Sequence, residues 1–169
     1  MSTFATTPVS LLSWLRYTSI ISDRLKSICQ KVEMQILAQQ WIIPGAWEKA
    51  VFSIQTACFQ RDILMLGEGS PCWFARTLIP EQSMEHDKFF FEQLQHKPLS
   101  YLIYDEPRVF RVLMHSYSID KHYPEYAWLA KDWHQCRQML WVRRSTFQLD
   151  KQHAFYLTEV FLPALDIYL

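Results

Sequence analysis

The sequence predicts an α+β domain built on an antiparallel sheet, and three observations carry that reading. Stretches whose apolar residues alternate every second position fall in groups. Two pairs of them are joined by short turn sequences, Gly67 to Pro71 and Asp150-Lys151-Gln152, as hairpins require. Stretches with helical spacing flank the strand groups instead of alternating with each strand, so a parallel βαβ arrangement is disfavoured. With 169 residues, half of them hydrophobic and 15% aromatic, residues 1–169 suffice for a single domain with one core. No internal repeat, low-complexity tract or linker interrupts them.

In order, the first forty or so residues carry helical spacing: Leu11, Leu12, Trp14 and Leu15, then Ile21, Leu25, Ile28, Cys29 and Val32. Two or three helices are expected there, with Ser22 or Asp23 capping the second. Strands follow at 49–55, 58–66 and 72–79, where Pro80 ends the ladder because it has no amide hydrogen. A helix is expected over 83–96, with Met84, Phe90, Phe91 and Leu94 near one face and Pro98 beyond its end. Strands at 108–117, 139–149 and 153–162 complete the sheet, and Tyr123 to Trp133 reads as a short helix.

Composition removes several function classes. Lys plus Arg and Asp plus Glu both number 17, which leaves no basic field for a nucleic acid backbone. Apolar runs such as 63–66 are far shorter than the roughly 20 residues that span a bilayer. Met1 to Pro8 lacks the basic start of a signal peptide, so a cytoplasmic location is expected. Cys29, Cys58, Cys72 and Cys136 are far apart and read as ordinary buried thiols, and the six scattered histidines read as surface or packing residues. Only three glycines occur, all before residue 70, so a Gly-rich phosphate loop is excluded.

Alternation along a strand shows which charges share a face with apolar residues. Arg61 shares its face with Phe59, Ile63 and Met65; Arg76 with Cys72, Phe74 and Leu78; Glu159 with Phe155, Leu157 and Phe161. A buried charge must be paired or hydrogen-bonded. If the three converge, one positive charge is left over inside an apolar cavity, which favours an anion. Taken one at a time, each is equally well read as part of a buried Arg–Glu pair tying strands together, and alternation does not show which strands neighbour each other.

The same segments resemble the chorismate pyruvate-lyase family. The resemblance rests on Arg61-Asp62-Ile63-Leu64, Ala75-Arg76-Thr77-Leu78-Ile79-Pro80, Lys97-Pro98-Leu99, Trp141-Val142-Arg143-Arg144-Ser145 and Leu157 to Ala164, in order and at family spacing over residues 57–165. Ala75 and Val142 stand where family members often have Gly. What the resemblance implies is a six-stranded antiparallel sheet with helices on one side and two helical flaps over a buried ligand site. Arg61 and the backbone amide of Leu99 would hold the ring carboxylate, Glu159 would meet the ring hydroxyl, Arg76 would hold the enolpyruvyl carboxylate, and Met34 would touch the hydroxyl end from a flap. The implied activity is elimination of pyruvate from chorismate, leaving 4-hydroxybenzoate for ubiquinone synthesis, with no metal or organic cofactor, in a monomer.

Two other readings compete. The same fold senses small molecules without chemistry in GntR-type regulators, although the roughly 50 residues before the first expected strand are too few and insufficiently basic for their winged helix. Alternatively, Trp128, Trp133 and Trp141 form a docking surface, with Arg143 and Arg144 as a partner patch; core packing and an exposed alternating strand explain these residues more simply.

Overall fold

The computed structural model describes residues 7–169, so the reading of the first residues as no signal peptide lies outside the described residues. Six strands form one sheet: β1 (Val32–Ile42), β2 (Cys58–Gly67), β3 (Ser70–Pro80), β4 (Val109–Ile119), β5 (Leu140–Leu149) and β6 (His153–Phe161). Their order is β1-β2-β3-β6-β5-β4, and every neighbouring pair is antiparallel. Two tight hairpins set the register. Glu68 and Gly69 carry φ of 49° and 79°, and Asp150 and Lys151 carry 52° and 63°, the left-handed backbone that matches the twist of paired strands.

The inner face of the sheet packs against α1 (Val9–Leu15), α2 (Ile21–Lys26), α5 (Lys88–Glu92) and α6 (Leu99–Ile103), around Trp14, Leu25, Trp73, Phe91, Phe155 and Phe161. Helices also cover the other face, contrary to the expectation of one helical side. There α3 (Ala46–Phe52) and the short turns α7 (Pro124–Ala127) and α8 (Lys131–His134) bring aromatics against the sheet. Trp128 meets Phe74 at 6.1 Å and Trp133 stacks on it at 6.3 Å, so these tryptophans are packing residues.

Four expected elements are corrected. The stretch 49–55 is not a strand: α3 ends at Phe52, and its start is held by the Glu48 carboxylate, which accepts from the Gly45 amide at 2.8 Å. The missing strand is β1, where Val32, Met34 and Ile36 alternate with Glu33 and Gln35 before a register shift at Leu37. Neither Ser22 nor Asp23 caps α2; both lie inside it, after Ile20 at the cap position. The helix expected over 83–96 is broken at Asp87, whose φ of −148° is non-helical and separates α4 (Glu81–His86) from α5.

Asp87 then caps the second piece by accepting from the Phe90 amide at 3.0 Å and from Arg108 at 2.9 Å. Asp87→Ala is expected to cost about 1 kcal/mol of stability, the usual worth of an N-cap. Urea denaturation checks it, and an unchanged midpoint would show that the break in the helix needs no cap. The cysteine reading is also corrected in part: Cys29, Cys58 and Cys72 are buried free thiols, but Cys136 is exposed.

Candidate active site

Register brings the central charges together. Glu159 of β6 lies opposite Ala75 of β3 on one side and Arg143 of β5 on the other. The Arg143 guanidinium grips the Glu159 carboxylate through two bonds, Nε to Oε2 at 2.6 Å and Nη2 to Oε1 at 2.9 Å. Both residues are only 2% exposed. Arg143 Nη1 also donates to the backbone carbonyls of Trp14 at 3.2 Å and Tyr17 at 2.5 Å, which ties the end of α1 to the sheet. A buried ion pair persists when its remaining hydrogen-bonding positions are filled, and here the arginine's are.

A cavity of about 440 Å³ opens beside this pair. Its sheet side is mostly apolar, with Ile63, Trp73, Phe147 and Leu157 around the small Ala75, and its charged lining is Glu159, Arg143, Arg111 and Asp105. Apolar walls with few convergent polar groups suit a small organic ligand. Two segments form the opposite wall: the connection into α2, through Thr18, Ser19, Ile21 and Ser22, and the Pro98 to Asp105 stretch that includes α6. They are joined at Tyr101, whose hydroxyl donates to Asp23 and accepts from Lys26 Nζ at 2.6 Å.

The expected site residues divide between the two faces of the sheet. Glu159 lines the cavity, and so does Leu99, which as the first residue of α6 has an amide without a helical acceptor. Arg61 is on the same face, 1% exposed, but behind the cavity wall: its Nη2 donates to the Lys97 carbonyl at 2.9 Å and touches Met34 Sδ at 3.5 Å. Among the described residues its Nε has no partner, and burial pulls its pKa down to about 10. Met34 is on edge strand β1, not on a helical flap.

The expectation that Arg76 points inward with Arg61 and Glu159 is corrected. Arg76 projects from the opposite face, where Nε and Nη2 grip both Asp62 oxygens at 2.8 and 2.7 Å beneath Trp128. The physical reason is that β3 is buried on both faces, so an arginine among apolar residues says only that its face is covered, not which face it is. Arg143 is corrected too: it is the buried partner of Glu159, not part of an exposed patch.

A profile of the chorismate lyase family matches residues 2–169. The chain belongs to the chorismate lyase family. Similar proteins include the probable chorismate pyruvate-lyase of Aromatoleum aromaticum, 27% identical over 162 residues, with 94% of this chain and 87% of that one covered. The chorismate pyruvate-lyase of Erwinia tasmaniensis is 30% identical over 161 residues, with 94% and 82% covered.

Solved structures give the fold. The ligand-binding domain of a putative GntR-family transcriptional regulator from Bordetella bronchiseptica matches with a TM-score of 0.53 at 13% identity, over 79% of this chain and 83% of that one. The C-terminal domain of the histidine utilization repressor from Pseudomonas syringae matches with a TM-score of 0.52 at 8% identity, over 79% and 93%. This chorismate lyase family member thus shares its antiparallel fold with effector-binding domains.

Two cavity residues of this family member escaped the sequence reading. Arg143 sits among Trp141, Val142, Arg144 and Ser145, where neither face stands out as polar, and only the β5–β6 register shows that it meets Glu159. Arg111 shares its face with Val109, but Phe110 and Val112 make the other face apolar as well. A register shift between Arg111 and Leu113 further breaks the alternation in β4.

Proposed function

We propose that this chain eliminates pyruvate from chorismate, leaving 4-hydroxybenzoate as a precursor for ubiquinone synthesis. The observation that carries the reading is the Glu159–Arg143 pair, buried at the wall of a partly open, mostly apolar cavity in a chorismate lyase family fold. In this reading the ring lies in the apolar part of the cavity with its hydroxyl end at Glu159. The ether carbon–oxygen bond breaks and its electron pair leaves with the enolpyruvyl oxygen. The hydrogen on the hydroxyl-bearing ring carbon departs as a proton, and the ring becomes aromatic. The released enolate takes up a proton at its methylene carbon to become pyruvate.

Aromatisation drives the step, so the protein's tasks are to hold the reactive conformer and to stabilise developing charge. Arg143 fixes the orientation of the Glu159 carboxylate through two bonds at once. Arg61 and the Leu99 amide take the ring carboxylate. Support for this comes from Arg61 having no carboxylate partner among the described residues, and from its bond to Lys97, two residues before Leu99. The contact between Met34 and Arg61 favours a place for Met34 at the carboxylate end over the hydroxyl end.

Action as a monomer is part of the same proposal. None of the described helices is long and apolar enough to cross a membrane, which fits the cytoplasmic location we propose.

Because two tied segments wall the cavity, product release is the slow step. Rapid mixing with excess chorismate is expected to give a pyruvate burst near one equivalent, then a slower steady rate. Strictly linear release from the first turnover would rule out slow product escape, and no pyruvate at all would rule out the lyase. Tyr101→Phe removes both hydrogen bonds between α2 and α6 and keeps the ring under the Lys26 ammonium. It is expected to speed 4-hydroxybenzoate dissociation by roughly 2–10-fold, the usual worth of exposed hydrogen bonds, as stopped-flow displacement would show.

A further inference from the structure

The inner face of the sheet carries more positive charge than its own acids neutralise. Three arginines, Arg61, Arg111 and Arg143, meet one buried carboxylate, Glu159, which Arg143 takes with both of its oxygens occupied. Asp105, the other acid of the cavity lining, is exposed. Two guanidiniums therefore remain without an anionic partner among the described residues.

They flank the cavity from different sides. Arg61 stands on β2 and Arg111 on β4, with β3, β6 and β5 between them in the sheet. Arg111 lines the cavity directly. Its Nε is enclosed and unpaired, and its one polar contact is Nη1 to the Met114 sulfur at 3.5 Å. Its guanidinium lies 5.0 Å from the centre of the Phe147 ring, which holds it in place without neutralising it. Burial first, and then the nearby Arg143, lower its pKa, while the charge of Glu159, which makes no bond to it, offsets part of that. Arg111 thus lines a ligand-sized space with no carboxylate bonded to it among the described residues.

We propose that Arg111 is the seat for a second carboxylate, so that the cavity selects a ring dicarboxylate over a monocarboxylate. The inference rests on the lyase reading of the same cavity, in which Arg61 takes the ring carboxylate and Arg111 takes the carboxylate of the enolpyruvyl arm. It reassigns to Arg111 the part expected of Arg76, which faces the other side of the sheet. It also explains how the cavity distinguishes substrate from product. Once the arm leaves as pyruvate, 4-hydroxybenzoate retains its contact at Arg61 but has none at Arg111.

The test compares two stable ligands by isothermal titration calorimetry: 4-hydroxybenzoate, and 3-carboxymethoxy-4-hydroxybenzoate, which adds one carboxylate arm. The unsubstituted protein is expected to prefer the dicarboxylate. Arg111→Met is expected to weaken the dicarboxylate by at least about tenfold and 4-hydroxybenzoate by less than about twofold, as loss of one charge-assisted contact implies. Arg111→Lys should restore part of the preference, and Arg111→Gln should not; these two carry the comparison if Arg111→Met does not fold.

Equal losses for both ligands, or no preference in the unsubstituted protein, would overturn the assignment. Chorismate turnover separates the two claims. A protein that binds the dicarboxylate through Arg111 but consumes no chorismate refutes the lyase reading and leaves this assignment standing. One that consumes chorismate with a KM unchanged by Arg111→Met refutes the assignment alone.

Discussion

Glu159→Gln is expected to lower chorismate turnover by roughly 100-fold or more, the range ascribed to a positioned proton-transfer group, while weakening 4-hydroxybenzoate much less. The amide keeps the shape and one acceptor oxygen, so the product's hydroxyl still finds a partner. What is lost is the negative charge beside the carbon that gives up its proton. The exchange also turns an amide NH₂ toward Arg143, which now donates to both carboxylate oxygens.

Some stability is therefore lost with activity. Glu159→Ala should cost more, about 3–5 kcal/mol, because it leaves Arg143 buried with no counter-charge. Steady-state kinetics and product titration on the folded Glu159→Gln variant decide the matter. If product affinity falls as far as turnover does, Glu159 is a binding wall and not part of the chemistry.

Arg61→Ala is expected to impair turnover and product binding together. The side chain is 1% exposed and its Nε is unpartnered, so its charge has been taken out of water without an acid to offset the cost. A ligand carboxylate supplies that acid. Loss of a hydrogen bond to a charged group is worth about 1.5–3 kcal/mol, so product affinity should fall by roughly 10–100-fold. Because the guanidinium also holds the Lys97 carbonyl, the segment leading to Leu99 should loosen, and Arg61→Lys is the informative companion. A variant with normal 4-hydroxybenzoate affinity would remove Arg61 from the ligand site.

How legible these residues are in the sequence depends on how local the signal is. The hairpins at Glu68-Gly69 and Asp150-Lys151 are written in the residues that form them, four strands follow from alternation beside those turns, and the strand expected at 108–117 matches β4. Strand β1 was hidden because Val32 also fits the helical spacing of the segment before it, and 49–55 passed for a strand because Val51 and Phe52 suit either state.

Charge placement follows the same rule. That Arg61 and Glu159 lie under cover is local information, carried by their apolar neighbours along each strand. That Arg76 answers Asp62 on one face while Arg143 answers Glu159 on the other depends on cross-strand register. In a sheet covered on both sides, composition no longer tells the faces apart. Alternation marked Arg61 and Glu159 correctly as inner-face residues, but three-dimensional pairing was needed to move Arg76 out of the cavity and bring Arg143 and Arg111 in.

The most direct test of the lyase reading is to mix the purified chain with chorismate in the presence of a chelator and to follow pyruvate and 4-hydroxybenzoate together. Equimolar appearance of the two, slowed at least about 100-fold by Glu159→Gln, is the expected result. Tight binding of 4-hydroxybenzoate with no release of pyruvate would contradict it, and would make the cavity the effector site of a sensor built on the same fold.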